Sequence, residues 1–73
     1  MNNELKREIR NREEFLAAVI KRNELTEIDL DAEAEKIQRK ESRLSARKRK
    51  IIVEAVEFRR LTEEMTRIAE VTE

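Results

Sequence analysis

The sequence predicts an all-α chain dominated by one long helix that runs from about Thr26 to the C-terminus, and three observations carry that prediction. Gly and Pro are both absent from the 73 residues, so the usual helix breakers are missing. Charged residues make up 47% and aromatics 3%, the balance of long helices and coiled coils. The apolar residues also recur at helical spacing. High charge with few aromatics can equally signal disorder, but a formal net charge of zero and the periodic apolar positions oppose it.

The first element is an amphipathic helix over about 4–23, with Leu5, Ile9, Leu16, Val19 and Ile20 on one face and Arg12 interrupting it. Its apolar face is widest at Phe15 to Ile20, which therefore needs a cover. The second begins at Leu25-Thr26-Glu27-Ile28-Asp29-Leu30. There Thr26 is the expected N-cap, Asp29 can reach back as a short capping-box acid, and Leu25 and Leu30 stand where a hydrophobic staple closes. Glu27, Asp29 and Asp31 put negative charge at the positive end of the helix dipole.

From there Leu30, Ile37, Leu44, Ile51, Phe58 and Met65 repeat every seven residues, followed by Thr72. The alternate seam holds Ala34, Glu41, Lys48, Ala55, Thr62 and Ala69, a thin coiled-coil-like seam whose small residues allow a neighbouring helix to approach closely. An unbroken helix over 27–72 would be roughly 70 Å long. The first helix, folding back antiparallel through Asn23-Glu24-Leu25, would cover only about its first 20 residues, placing Phe15 to Ile20 near Leu30 to Ile37 and Leu5 near Leu44.

Ile51 to Val71 is then left uncovered, although it is the most apolar part. Two architectures resolve this: an antiparallel helical hairpin (about 4–23 and 27–72) that pairs with another chain, or a three-helix bundle with a break near 42–50. Six acidic and no basic residues between Glu24 and Glu35, then eight basic and one acidic between Lys36 and Lys50, suit either a helix ending near Lys50 or two long helices crossing antiparallel. The absence of Gly, Pro or Asn from the candidate break favours the hairpin. Either way 1–73 reads as a single helical domain.

The same inventory excludes most chemistry. With no Cys and no His, disulfides, structural zinc and most transition-metal sites lose their ligands. Asp29-x-Asp31-x-Glu33 imitates the start of a calcium loop, yet Ala34 replaces the turn Gly and Lys40 the bidentate Glu. Ser45-Ala46-Arg47-Lys48 matches a Ser-x-x-Lys pattern without its companion motifs. The carboxylates lack an obvious dry, concave site in which to shift their pKa values. No catalytic residue, cofactor or metal is expected, and the chain reads as not an enzyme. Its longest apolar run, Phe15 to Ile20, is far short of the roughly 20 residues that span a bilayer. Met1-Asn2-Asn3-Glu4 does not begin a signal peptide, so a cytoplasmic setting is expected.

A charged first helix, then Asn23-Glu24-Leu25-Thr26-Glu27, then a charged helix with Ile37 and Leu44 at heptad spacing resembles the helical N-terminal scaffolding (delta) domain of tailed-phage major capsid proteins over about residues 4–60. The resemblance implies a domain that organises capsid assembly through helical contacts, and it carries over no catalytic residue.

Function is thus expected to lie in partners: a structural, assembly or regulatory protein–protein interaction module. The leading reading is a homo-oligomer, a dimer or more, self-associating through Ile51, Ile52, Ala55, Phe58, Leu61, Met65 and Ile68, alone or alongside another protein. The alternative is a small nucleic-acid-binding regulator using Arg39, Lys40, Arg43, Arg47, Lys48, Arg49 and Lys50, a basic cluster able to neutralise phosphates. Its competing explanation is a solvated face or the counterpart of an acidic block. A third class is docking into another protein's groove, with Leu5, Ile9 and Leu16 as anchors. Phe15 and Phe58 sit in apolar stripes and are expected to pack, not to bind a ligand.

Overall fold

Two of the helices end on residues that are not glycine, and these stops shape the molecule. The computed structural model describes residues 3–71, which form α1 (Asn3–Arg22), α2 (Leu30–Gln38) and α3 (Ala46–Val71); Thr72 of the heptad lies outside the described residues. At the end of α1, Glu24 takes a left-handed φ of 59°. The Leu25 amide donates to the Ile20 carbonyl at 2.9 Å and the Glu24 amide to Lys21 at 3.2 Å, the paired bonds of a Schellman motif. The end of α2 repeats the device: Lys40 has φ 61°, the Glu41 amide donates to Lys36 at 2.8 Å and the Lys40 amide to Ile37 at 3.0 Å.

The all-α fold is therefore built as three helices with a long C-terminal one, and the unbroken helix over 27–72 does not form. Its break falls at 39–45. A non-glycine residue in the left-handed region costs about 1–2 kcal/mol. Folding α2 back along α3 helps bury Ile52, 0% exposed, and Val56, 3% exposed, and each such side chain contributes about 1.5–3 kcal/mol. Burial wins over backbone strain. Two serines complete the turn: Ser42 Oγ donates to Glu33 at 2.7 Å and accepts from the Leu44 amide at 3.2 Å, while Ser45 Oγ accepts from the Lys48 amide at 3.2 Å as the N-cap of α3.

The start of α2 also shifts from Thr26. Thr26 lies in a turn, with the Ile28 amide donating to the Leu25 carbonyl at 3.1 Å. Asp29 is the N-cap instead, its Oδ1 accepting from the Ala32 amide at 3.2 Å. Both motif-like spacings in the sequence, Asp29-x-Asp31 and Ser45-x-x-Lys48, thus contain helix caps.

α1 runs antiparallel to α3: Arg12 lies beside Thr62, Phe15 against Phe58, and Asn23 beside Ile51. α2 also runs antiparallel to α3, with Asp31 paired to Arg59 and Ile37 near Val53. Among the described residues the backbones of α1 and α2 do not approach each other, so α1 packs on the later helix and not beside Leu30 to Ile37. Leu5 sits at the end of the molecule opposite Leu44, because α1 and α3 are antiparallel. Leu25, 0% exposed, joins the core of Leu30, Ile52, Ala55 and Val56, so the connection after α1 is itself a core element.

This arrangement measures 44 × 24 × 16 Å with a radius of gyration of 14.1 Å, against roughly 11 Å for a compact chain of this length. It is a thin slab one to two helices deep, and the 26 residues of α3 set its long axis.

Candidate functional site

Two features of the slab can face a partner: an apolar groove between α1 and α3, and a basic end where α1 finishes and α3 begins. The groove, about 440 Å³, is lined by Phe15, Leu16, Val19, Ile51, Phe58 and Leu61 among others. Small seam residues shape the α1–α3 contact, since Ala55, Thr62 and Ala69 are all buried on α3 and allow the close approach their spacing predicts. Arg12, the polar interruption of α1, becomes a clamp. Its Nε donates to Thr62 Oγ1 at 3.0 Å, its Nη2 to the Phe58 carbonyl at 3.4 Å, and its guanidinium lies 3.9 Å from the Phe58 ring centroid. Thr62 Oγ1 in turn donates to the Phe58 carbonyl at 2.9 Å. Phe15 closes on the same ring at 5.5 Å between centroids and 50° between planes, within the range of favourable tilted aromatic pairs.

The seven residues assigned from sequence to a self-association face divide in the structure. Ile52 and Ala55 are buried inside the chain's own core and present no surface, because α1, α2 and Leu25 together cover the first half of α3. Ile51, Phe58 and Met65 are half-buried, while Leu61 and Ile68 are 61% and 50% exposed. Phe15 at 56% and Val71 at 86% exposure join them on the surface. Val71 ends the stretch that the sequence left uncovered, whereas Phe15 was not assigned to the face, although it belongs to the part of α1 whose apolar face is widest.

A second, larger hollow of about 760 Å³ lies between α2 and α3 but is bordered by charges, among them Asp31, Glu35, Glu57 and Glu63 with Arg59 and Arg60. Asp31 Oδ1 accepts from Arg59 Nη2 across it. Further along α3, Arg67 Nη2 donates to Glu64 at 2.6 Å, and that bond holds the Arg67 guanidinium above its already high ordinary pKa. No group of three or more His, Cys, Asp or Glu among the described residues is placed to hold a metal ion, and none of their helices is long and apolar enough to cross a membrane.

At the basic end, Arg39, Lys40, Arg43, Arg47 and Lys50 are exposed, and Lys48 and Arg49 are half-buried. Arg49 Nη1 donates to the Leu44 carbonyl at 2.6 Å, which bolts the turn to α3. The structure adds two cations that the linear cluster lacks. Lys21 and Arg22 occupy the last turn of α1, and Arg22 borders one hollow with Arg47, Lys48 and the acidic Glu24.

No family model, curated protein or solved structure matches this chain. The functional reading accordingly rests on the groove and the basic end. They differ in kind: the groove is apolar surface left uncovered, whereas the basic end is an excess of cations that make no direct ion pair.

Proposed function

We propose that this chain is a non-enzymatic helical interaction module with a structural, assembly or regulatory role, and that it works by seating a second copy on the α1–α3 groove. The observation that carries this reading is Leu61, 61% exposed beside Phe15, 56% exposed, at a groove formed with Val19 and Phe58. An apolar pair beside an apolar hollow is surface awaiting cover. A second copy fits the dimensions. A broad face of 44 × 24 Å accommodates the roughly 800 Å² per partner of a standard stable interface. A thin slab with so small a core also gains from completing it across a dimer, as chains of this size commonly do.

Sedimentation equilibrium at micromolar concentration tests the reading. The wild type should sediment at a multiple of the 8.8 kDa chain mass. Leu61→Glu should return it to the single-chain mass while leaving its helical circular dichroism unchanged, because Leu61 is outside the core. A wild type that stays at the single-chain mass, or a Leu61→Glu variant that keeps the larger mass, overturns the proposal.

A further inference from the structure

We infer that the basic end of the slab is a binding surface for the phosphate backbone of duplex nucleic acid, read without regard to base sequence. Three observations converge on it. The first is composition in space: the segment 39–50 and the last turn of α1 arrive at one end from separate parts of the chain, joining Arg22 to Arg47 and Lys48 around a single hollow.

The second is the absence of direct ion pairing. The ion pairs of the described residues include Asp31–Arg59 and Glu64–Arg67, but none engages Lys21, Arg22, Arg39, Lys40, Arg43, Arg47, Lys48 or Lys50. The acidic block at 24–35 therefore forms no direct ion pair with the cluster: Glu24 borders the hollow with Arg22, Arg47 and Lys48, and Glu33 borders another with Arg43 and Glu41, but neither acid is bonded to a cation there.

The third is electrostatic cost. Arg47, Lys48 and Arg49 stand at the start of α3, whose first turn holds no acidic residue. That is the positive end of the helix dipole, where cations are destabilising. A bound polyanion removes both this penalty and the repulsion among the like charges.

The chemistry narrows the class of polyanion. Arginines at 22, 39, 43 and 47 offer planar forks suited to phosphate oxygens. The strongly exposed large apolar side chains are Phe15, Leu61, Ile68 and Val71, and none belongs to the segments that build the basic end. It therefore lacks the apolar wedge with which a basic helix enters a lipid surface. The two aromatics of the chain, Phe15 and Phe58, lie along the α1–α3 contact, so base stacking, the mainstay of single-strand binding, is missing too. A duplex backbone remains. An end 24 Å across faces about seven base-pair steps at roughly 3.4 Å each.

Fluorescence anisotropy with a labelled mixed-sequence DNA duplex of about 30 base pairs tests this inference. Contact with about five phosphates gives a slope near −4.5 in log K against log salt, hence several-hundred-fold weaker binding at 200 mM than at 50 mM salt. The double variant Arg47→Glu/Lys50→Glu should lose at least about tenfold in affinity at low salt while raising Tm, since an acid at 47 complements the helix dipole and both changes relieve repulsion among the like charges. Arg7→Ala/Arg10→Ala, exposed cations toward the other end of the slab, should bind as the wild type does. Absence of duplex binding at 50 mM salt overturns the inference. So does equal loss in both double variants, or tighter binding to phosphatidylserine vesicles than to the duplex.

Discussion

The two halves of α3 both carry an apolar stripe but have different surroundings. Its first half, around Ile52, Ala55 and Val56, is packed by α1 on one side, by α2 on the other and by Leu25; those three residues are 0%, 4% and 3% exposed. The second half, beyond Arg59, runs past the start of α2, with Arg60 and Glu63 still bordering the hollow between them, and packs on α1. There the buried residues are Thr62 and Ala69, while Leu61, Ile68 and Val71 point to solvent at 61%, 50% and 86% exposure. Two neighbours cover most of an apolar stripe, and one neighbour covers only its small-residue edge. The same helix is thus a core element at one end and an offered surface at the other.

Paired truncations in the two halves should differ most in their cost. Ile52→Ala removes a fully buried side chain and should cost about 2–5 kcal/mol, whereas Leu61→Ala in the single chain should stay within about 0.5 kcal/mol. For a chain of this length the total stability is about 4–11 kcal/mol, so the first substitution takes a large share of it. Urea unfolding at concentrations where the chain is monomeric measures both. Equal losses would mean that Leu61 is covered within the monomer.

Thr62 sharpens the account of the second half, where a polar clamp does work that apolar packing does in the first. Thr62→Val keeps the shape but deprives Arg12 Nε of its acceptor. With Thr62 only 5% exposed, an unsatisfied donor there should cost about 1–2 kcal/mol. Thr66 is the control: its hydroxyl donates to the Thr62 carbonyl at 3.0 Å, a carbonyl one turn earlier, and no second side chain depends on it. Thr66→Val should therefore cost less than half as much by the same urea titration.

The sequence made the helical class, the extent of α1 and the close-packing seam of Ala55, Thr62 and Ala69 legible, because each rests on periodicity. Leu25 was legible as apolar but not as a core plug, since its burial depends on where the return segment crosses α3. The break between α2 and α3 was legible only as the second of two architectures, placed near 42–50 whereas it falls at 39–45. Its left-handed residue is Lys40, where glycine or asparagine is the usual signal, and only Ser42 and Ser45 hint at a turn. The candidate surfaces divide likewise. The basic segment was visible as a run of charge, but the contribution of Lys21 and Arg22 required the fold. The division of Ile51 to Ile68 into core and surface required knowing that α2 stops after nine residues.

Lys40 therefore offers the finest test of how the two halves of α3 come to differ, because its conformation sets α2 against the first half only. Replacing it with glycine removes the side-chain clash of the left-handed conformation, about 1–2 kcal/mol, but gives the unfolded chain more freedom to lose. The balance should be a gain of about 0.5–1 kcal/mol, or roughly 2–8 °C in Tm for a domain of this size. Lys40→Ala keeps the clash and should show no such gain, which separates backbone relief from the loss of one positive charge at the crowded end. If alanine stabilises as much as glycine, charge crowding is what limits this turn. If glycine alone does, strain at a single residue is the toll of covering the first half of α3.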